Sequence, residues 1–399
     1  MSKAGHNAGD ILPGSSRRKE AQTNAGCGTG NAEWRRWSLV TSAATMLLNP
    51  LRHAVLVSLL WVILQGTAFT AEPKRDESVI IFPAAASRTA ESNQWTADLH
   101  IWVGELEARG LSLAALRNSL GLATDLSAEE TAVFNERARW FLADNERRKE
   151  VSLRVGKQTF AIGPTEANGH ARLNLRFAGP AAAKGREQAP GDDRLELTLA
   201  SGNPNRVLGG ELFLVEPEGL TVISDIDDTI KITEVRDREA MLRNTFLRPF
   251  RPAPGMAALY ERWRTNDHAQ FHYVSASPWQ LYPALAEFRR TNGFPAGTFH
   301  LKTLRVKDES FLDLFQSPIE YKLGVIEQLI AKFPQRRFIL VGDSGEADPE
   351  VYGEVTRRHP QQIERILIRD VTGEDENAER HRVAFRDVVR EKWRIFKEP

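Results

Sequence analysis

Two apolar runs in this chain stop abruptly in acid. Residues 220–224 (LTVIS) lead straight into Asp225-Ile226-Asp227-Asp228-Thr229, and residues 338–341 (FILV) lead into Gly342-Asp343-Ser344-Gly345-Glu346-Ala347-Asp348. Short, wholly apolar runs of this kind predict strands buried on both faces, as in a parallel sheet covered by helices. After Pro217 the pattern alternates accordingly: strands are expected at 220–224, 271–274, 338–341 and 363–368, and helices at 279–290, 321–332 and 349–358. In open α/β sheets ligands bind beyond the carboxyl ends of the strands, where both acidic clusters fall. Asp225, Asp227 and Asp228 repel one another, so a divalent cation or a buried counter-charge is expected beside them.

Several rival chemistries fail on single residues. An EF-hand needs glycine where this loop has Ile230. Gly342-Asp343-Ser344-Gly345 matches the surroundings of a trypsin-like nucleophile, but Glu346 follows and the α/β pattern is wrong for a double β-barrel. The G-x-S-x-G elbow fails at the same place. His268 and His272 have metalloprotease spacing, yet Ala269 stands where the glutamate belongs, so neither is read as a ligand. Ser275 and Ser277 directly follow the strand at 271–274, and Lys322 opens a helix. Each has an ordinary reading, as a helix cap or a surface lysine. Together at one sheet edge, hydroxyl and ammonium groups suit phosphoryl oxygens.

The order Asp, Ser, Lys, Asp with an Asp-x-Asp-x-Thr opening resembles the haloacid dehalogenase superfamily of aspartyl-phosphate phosphatases. Within it, residues 222–231 (VISDIDDTIK), 273–279 (YVSASPW), Tyr321-Lys322 and 342–352 (GDSGEADPEVY) are similar to the catalytic domain of the actin-patch-protein type of phosphatidate phosphatase. They are more loosely similar to the lipid-sensing domain of lipins and phosphatidylinositol-transfer proteins. The likeness covers roughly residues 218–375 and implies a Rossmannoid parallel sheet within a haloacid dehalogenase-like domain, 219–399. It also implies roles. Asp225 would attack phosphorus, and Asp227, with a raised pKa, would serve as acid and then base. Thr229 would orient Asp227, while Ser275 and Lys322 would hold the phosphoryl group. Mg²⁺ is the implied cofactor, held by Asp225, the Asp227 carbonyl and Asp343, with Asp348 as a direct or water-mediated ligand.

The substrate stays open at this point. A phosphorylated lipid, phosphatidate above all, and a small soluble phosphomonoester both fit, and a non-catalytic phosphatidate-binding module is the rival class. Substrate choice is expected to rest on residues 231–251 and 293–318, with Lys302, Arg305 and Lys307 toward a head group and Phe311, Leu312, Leu314 and Phe315 toward an acyl chain or the core. Basic and acidic residues balance at 53 each, which removes the uniform field that general nucleic-acid binding needs. No nucleic-acid partner is expected, and peripheral membrane contact would be local. The single cysteine, Cys27, forms no internal disulfide or cysteine-based metal site.

Upstream, residues 77–218 alternate in short β-like runs punctuated by Gly, Pro and Asn, which predicts a β-sandwich-like domain. A helical insert at 111–148 is expected to form a helical pair on it, and 181–193 reads as a surface loop. Residues 1–71 read as an extension and signal peptide. The run 54–64 (AVLVSLLWVIL) follows Arg52 and is shorter than the roughly 20 residues that span a bilayer. Cleavage near Ala68 or Ala71, with Met46 as an alternative start, would export the chain to the periplasm or beyond, and an uncleaved form would be membrane-anchored.

Overall fold

The computed structural model describes residues 70–89, 94–106, 110–179, 194–303 and 319–399. The apolar run at 54–64, the loop at 181–193 and the segment carrying Arg305, Lys307, Phe311, Leu312, Leu314 and Phe315 lie outside the described residues.

The β-rich part opens with β1 (Glu77–Ile81), β2 (Ala84–Arg88) and β3 (Gln94–Glu105). Helices α1 (Gly110–Ser119) and α2 (Ala128–Phe141) follow, then β4 (Asp144–Asn145), β5 (Val151–Val155), β6 (Gln158–Ile162), β7 (His170–Ala178), β8 (Arg194–Leu199), β9 (Arg206–Gly209) and β10 (Glu211–Val215). The strands of the β-rich part join into one mixed hydrogen-bonded ladder. Among the described residues it runs β6-β5-β8-β10-β2-β3-β1-β9, with β4 and β7 also paired to β3. Residues from distant strands, among them Val79, Leu99, Leu153, Ile162 and Phe177, share one core.

Strand patterning reports which faces are covered. β5 alternates buried and half-buried residues, as a strand with one wet face should. β1 is buried throughout, because Ile80 turns outward onto Trp102, Trp140, Trp279 and Tyr282. Likewise Phe213 and Val215 of β10 pack into the core of the α/β part. The insert is helical as expected, with a reciprocal capping box between Ser127 and Glu130 at the start of α2. Its apolar face, however, packs away from the β-rich core. Leu116, Leu120, Phe134 and Ala138 meet Leu242, Phe246 and Leu247 on and just after α3 (Arg238–Phe246).

The α/β part begins at β11 (Leu220–Ser224) and continues through α3, α4 (Met256–Asn266), β12 (Gln270–Pro278), α5 (Tyr282–Thr291) and β13 (Thr298–Lys302). It ends with α6 (Ile319–Lys332), β14 (Arg337–Asp343), α7 (Asp348–Arg358), β15 (Ile363–Arg369), α8 (Glu379–Ala384) and β16 (Trp393–Phe396). The six strands are ordered β13-β12-β11-β14-β15-β16, and every adjacent pair is parallel. β11 is central and all five of its residues are buried. Its register sets Ser224 opposite Tyr273 of β12 and Val341 of β14, so the three strands deliver their next residues to one edge.

Candidate active site

Asp225 leaves β11 at that edge and is almost fully buried. Neither of its carboxylate oxygens accepts a hydrogen bond among the described residues. Lys322 Nζ, from the first turns of α6, stands 2.8 Å from Asp225 Oδ1 as an ion pair, off the line that a hydrogen bond needs. The same ammonium donates to Asp348 Oδ1 at 2.6 Å and Glu346 Oε2 at 2.7 Å. Lys322 is therefore no surface lysine. Burial alone would lower its pKa, but Asp225, Asp348 and Glu346 hold it well above the usual range.

Asp343 closes β14. Its Oδ1 takes the amide hydrogens of Gly345, at 2.6 Å, and Glu346, at 3.2 Å, while Oδ2 has no hydrogen-bond partner among the described residues. Asp348, at the start of α7, accepts the Asp343 amide through Oδ2. This approach requires Gly342, since a Cβ there would collide with the Asp348 carboxylate. Burial raises Asp225 well above the ordinary carboxylate range. Lys322 opposes the rise, and the charges of Asp348, Glu346 and Asp343 add to it. Asp343 is raised likewise, by burial and then by Asp348 and Glu346.

Asp227 has the opposite environment. Its Oδ1 contacts Lys231 Nζ at 2.7 Å and accepts from Thr233 Oγ1 at 2.8 Å, while Oδ2 accepts from Ser275 Oγ at 3.0 Å and Ser277 Oγ at 2.9 Å. Burial would raise its pKa, but Lys231 and these hydroxyls bring it down to about 2. The expectation of a raised pKa on Asp227 is thus reversed, and Asp225 carries the raised value. Thr229 does not orient Asp227. Its buried Oγ1 has no partner among the described residues, and Thr233 makes the contact instead. Asp228 adopts φ 53° and accepts the amide hydrogens of Thr233, Glu234 and Val235, each at 2.8 Å. That carboxylate folds the loop which delivers Thr233.

Residues 220–370 match the family model described as phosphatidate phosphatase APP1, catalytic domain. The chain is 38% identical over 158 residues to phosphatidate phosphatase APP1 of Saccharomyces cerevisiae, covering 39% of this chain and 26% of that protein. It is 32% identical over 168 residues to an uncharacterised protein of Schizosaccharomyces pombe, covering 40% of this chain and 27% of the relative. The chain thus spans about a quarter of the length of the curated relatives it matches.

The APP1-like segment brings Asp225, Asp227, Ser275, Lys322, Asp343 and Asp348 to one sheet edge. A metal-capable group forms there from Asp225, Glu346 and Asp348, whose donor atoms lie within 4.8 Å of one another. Glu346 was missed as a candidate, although it sits between Asp343 and Asp348 in the acidic run. Lys231 and Thr233 were also missed as site residues. Ser277 was visible beside Ser275, whereas only the fold of the 228–235 loop brings Lys231 and Thr233 back to Asp227. Ser344, the rejected nucleophile, has its hydroxyl engaged with Thr372 and the Val371 amide. His272 is buried in β12 and hydrogen-bonded to Thr298.

Proposed function

We propose that the α/β part is a haloacid dehalogenase-like phosphatase that hydrolyses phosphomonoesters through an aspartyl-phosphate on Asp225. The observation that carries this is the Asp225 carboxylate, buried at a strand end with both oxygens free of hydrogen bonds and a shared lysine beside it. A purely structural aspartate in such a place would have its oxygens satisfied. In the first step an Asp225 oxygen bonds to phosphorus, the bond from phosphorus to the leaving oxygen breaks, and Asp227 supplies the proton to that oxygen. In the second step water attacks phosphorus, Asp227 takes the water proton, and Asp225 is released. Lys322 offsets charge on the transferring group. Because Lys231 and the surrounding hydroxyls hold Asp227 ionised, it is ready as the base, and its proton for the first step must arrive with the substrate or from water.

Mg²⁺ suits the donors present. Four carboxylates surround one ammonium, three of their buried oxygens lack hydrogen bonds, and hard oxygen ligands are what magnesium takes. Asp225, Asp343 and either Glu346 or Asp348 would hold it. Both side-chain oxygens of Asp227 are occupied, which leaves its main-chain carbonyl as the donor. When bound, the ion would supply positive charge that keeps Asp225 ionised and offsets charge on phosphoryl oxygens.

Phosphatidate, named in the yeast relative, is the proposed substrate, with a similar lipid phosphate in the same class. Export through the run at 54–64 belongs to the same proposal, and intact-mass measurement of protein from its native host tests it. Substrate is tested by phosphate release from phosphatidate in mixed micelles against a soluble phosphomonoester. Turnover of the soluble ester alone rejects the lipid assignment, and lipid binding without release of phosphate favours a binding module.

A further inference from the structure

Away from the acidic centre, the β-rich and α/β parts enclose two hollows of about 590 and 420 Å³ that share Phe82, His100, Arg172, Phe299 and His300 in their walls. The smaller reaches Trp279 and Tyr321, each close in sequence to a residue of the centre, Ser277 and Lys322. The larger runs to His272, Thr298 and Lys332. Their combined size is that of ordinary small-molecule sites.

The cleft is lined by two basic and two acidic side chains, Arg172 and Lys332 against Asp98 and Glu320, and only one ion pair joins them among the described residues. Lys332 is neutralised by Asp98 at 2.7 Å. Arg172, which stands opposite His100 in the β3–β7 ladder, is an exposed residue that makes no ion pair or hydrogen bond among the described residues. Glu320 lines the smaller hollow and makes no ion pair with it.

The histidines add directed donors. His272 Nδ1 lies 2.6 Å from Thr298 Oγ1, which lies 2.9 Å from His300 Nε2. Burial first, and neighbouring positive charge second, lower the pKa of both rings and keep them neutral. The Thr298 hydroxyl has one hydrogen and serves only one ring, so the other ring must donate to it. A neutral imidazole has one N–H. If His272 donates to Thr298, the His300 hydrogen is on Nδ1; if His300 donates, the His272 hydrogen is on Nε2, which is buried and has no partner among the described residues. The first arrangement leaves no buried donor without a partner, so it is the favoured one, and it turns the His300 Nδ1 hydrogen away from Thr298 and toward a ligand. The walls also present aromatic and aliphatic side chains, among them Phe82, Leu99, Phe299 and Leu329, beside the amides of Asn174 and Gln328.

We propose that this cleft is a second binding site, for an oxyanion carried on a small apolar or aromatic body, with Arg172 as the charged anchor and the His272–Thr298–His300 relay as the directional donor. The assignment does not depend on the phosphatase reading. The shared chemistry is the oxyanion, whether a free anion or a group remote from the reacting phosphoryl of a substrate.

Calorimetric titration of the full chain with naphthalene-2-sulfonate tests it, since this probe carries the oxyanion and the flat body but no hydrolysable phosphate. One saturable site is expected. Arg172→Ala should weaken it about tenfold or more, the loss of one charge-assisted hydrogen bond. His300→Phe should weaken it too, while Arg172→Lys should retain part of the affinity. Displacement of the probe by inorganic phosphate would mark a free anion as the occupant; competitive inhibition of turnover without that displacement would mark a remote group of the substrate. No saturable binding, or equal affinity in the wild type and Arg172→Ala, overturns the site. Arg172 is exposed, so its variants test binding without disturbing the core.

Discussion

Thr233 Oγ1 donates a 2.8 Å hydrogen bond to Asp227 Oδ1, across a loop that the Asp228 carboxylate holds closed. The Asp-x-Asp-x-Thr spacing points to Thr229 for this task, but the hydroxyl that performs it comes four residues later. Thr233→Val should therefore lower turnover by about tenfold, the usual consequence of losing one hydrogen bond to a charged group. Thr229→Val should cost less. Phosphate release by the two purified variants decides between them, and the reverse order of losses would restore Thr229 to the role.

Asp225→Asn should abolish turnover while leaving the protein folded and raising its thermal midpoint in the absence of divalent cations. Burial disfavours the charged carboxylate, and Asp348, Glu346 and Asp343 repel it, so a neutral amide of the same shape relieves the centre. Substantial turnover by this variant would exclude the covalent route.

Exhaustive chelation should remove activity, and Mg²⁺ should restore it. Among the described residues Lys322 is the one cation ion-paired with Asp225, Glu346 and Asp348, with Asp343 beside them, and it cannot neutralise four carboxylates. Full activity after chelation would show that the shared lysine suffices.

Acid should destabilise the chain through its buried histidines before its ordinary carboxylates titrate, against the opposite effect of protonating the raised Asp225 and Asp343. His170 and His300 have pKa values lowered to about 4, chiefly by burial. A group with a lowered pKa is protonated more readily in the unfolded chain, so stability is complete above about 6.5 and is lost as pH falls toward 4. Each ring contributes up to about 3 kcal/mol over that interval. Urea midpoints measured between pH 7 and 4 should fall, and His300→Gln should flatten the decline. A decline no shallower in His300→Gln than in the wild type would mean that this ring charges freely in the folded state.

Phe134→Ala, far from Asp225 in sequence, should cost about 3–5 kcal/mol as a large core truncation. Phe134 packs on Phe246 at 6.4 Å between ring centroids, joining the helical insert to α3. Some loss of turnover should accompany it, because α3 continues from the loop that carries Thr233. Denaturation and kinetics on the same variant separate the two effects.

The amino-acid pattern alone determined the parallel sheet, its buried central strand at 220–224 and the arrival of Asp225, Asp227, Ser275, Asp343 and Asp348 where the apolar runs stop, at one sheet edge. These follow from local alternation and from where apolar runs stop, and both are written along the chain. Tertiary structure decided the rest. Lys322 became a buried counter-ion because α6 swings it between two strand ends, and Asp227 became the strongly acidic carboxyl because Lys231, Thr233, Ser275 and Ser277 converge on it from separate segments. The insert found α3 because the two apolar faces are complementary only once both helices exist. A pKa, a counter-ion and a docking face each depend on groups distant in sequence and near in space, and local periodicity carries no record of them.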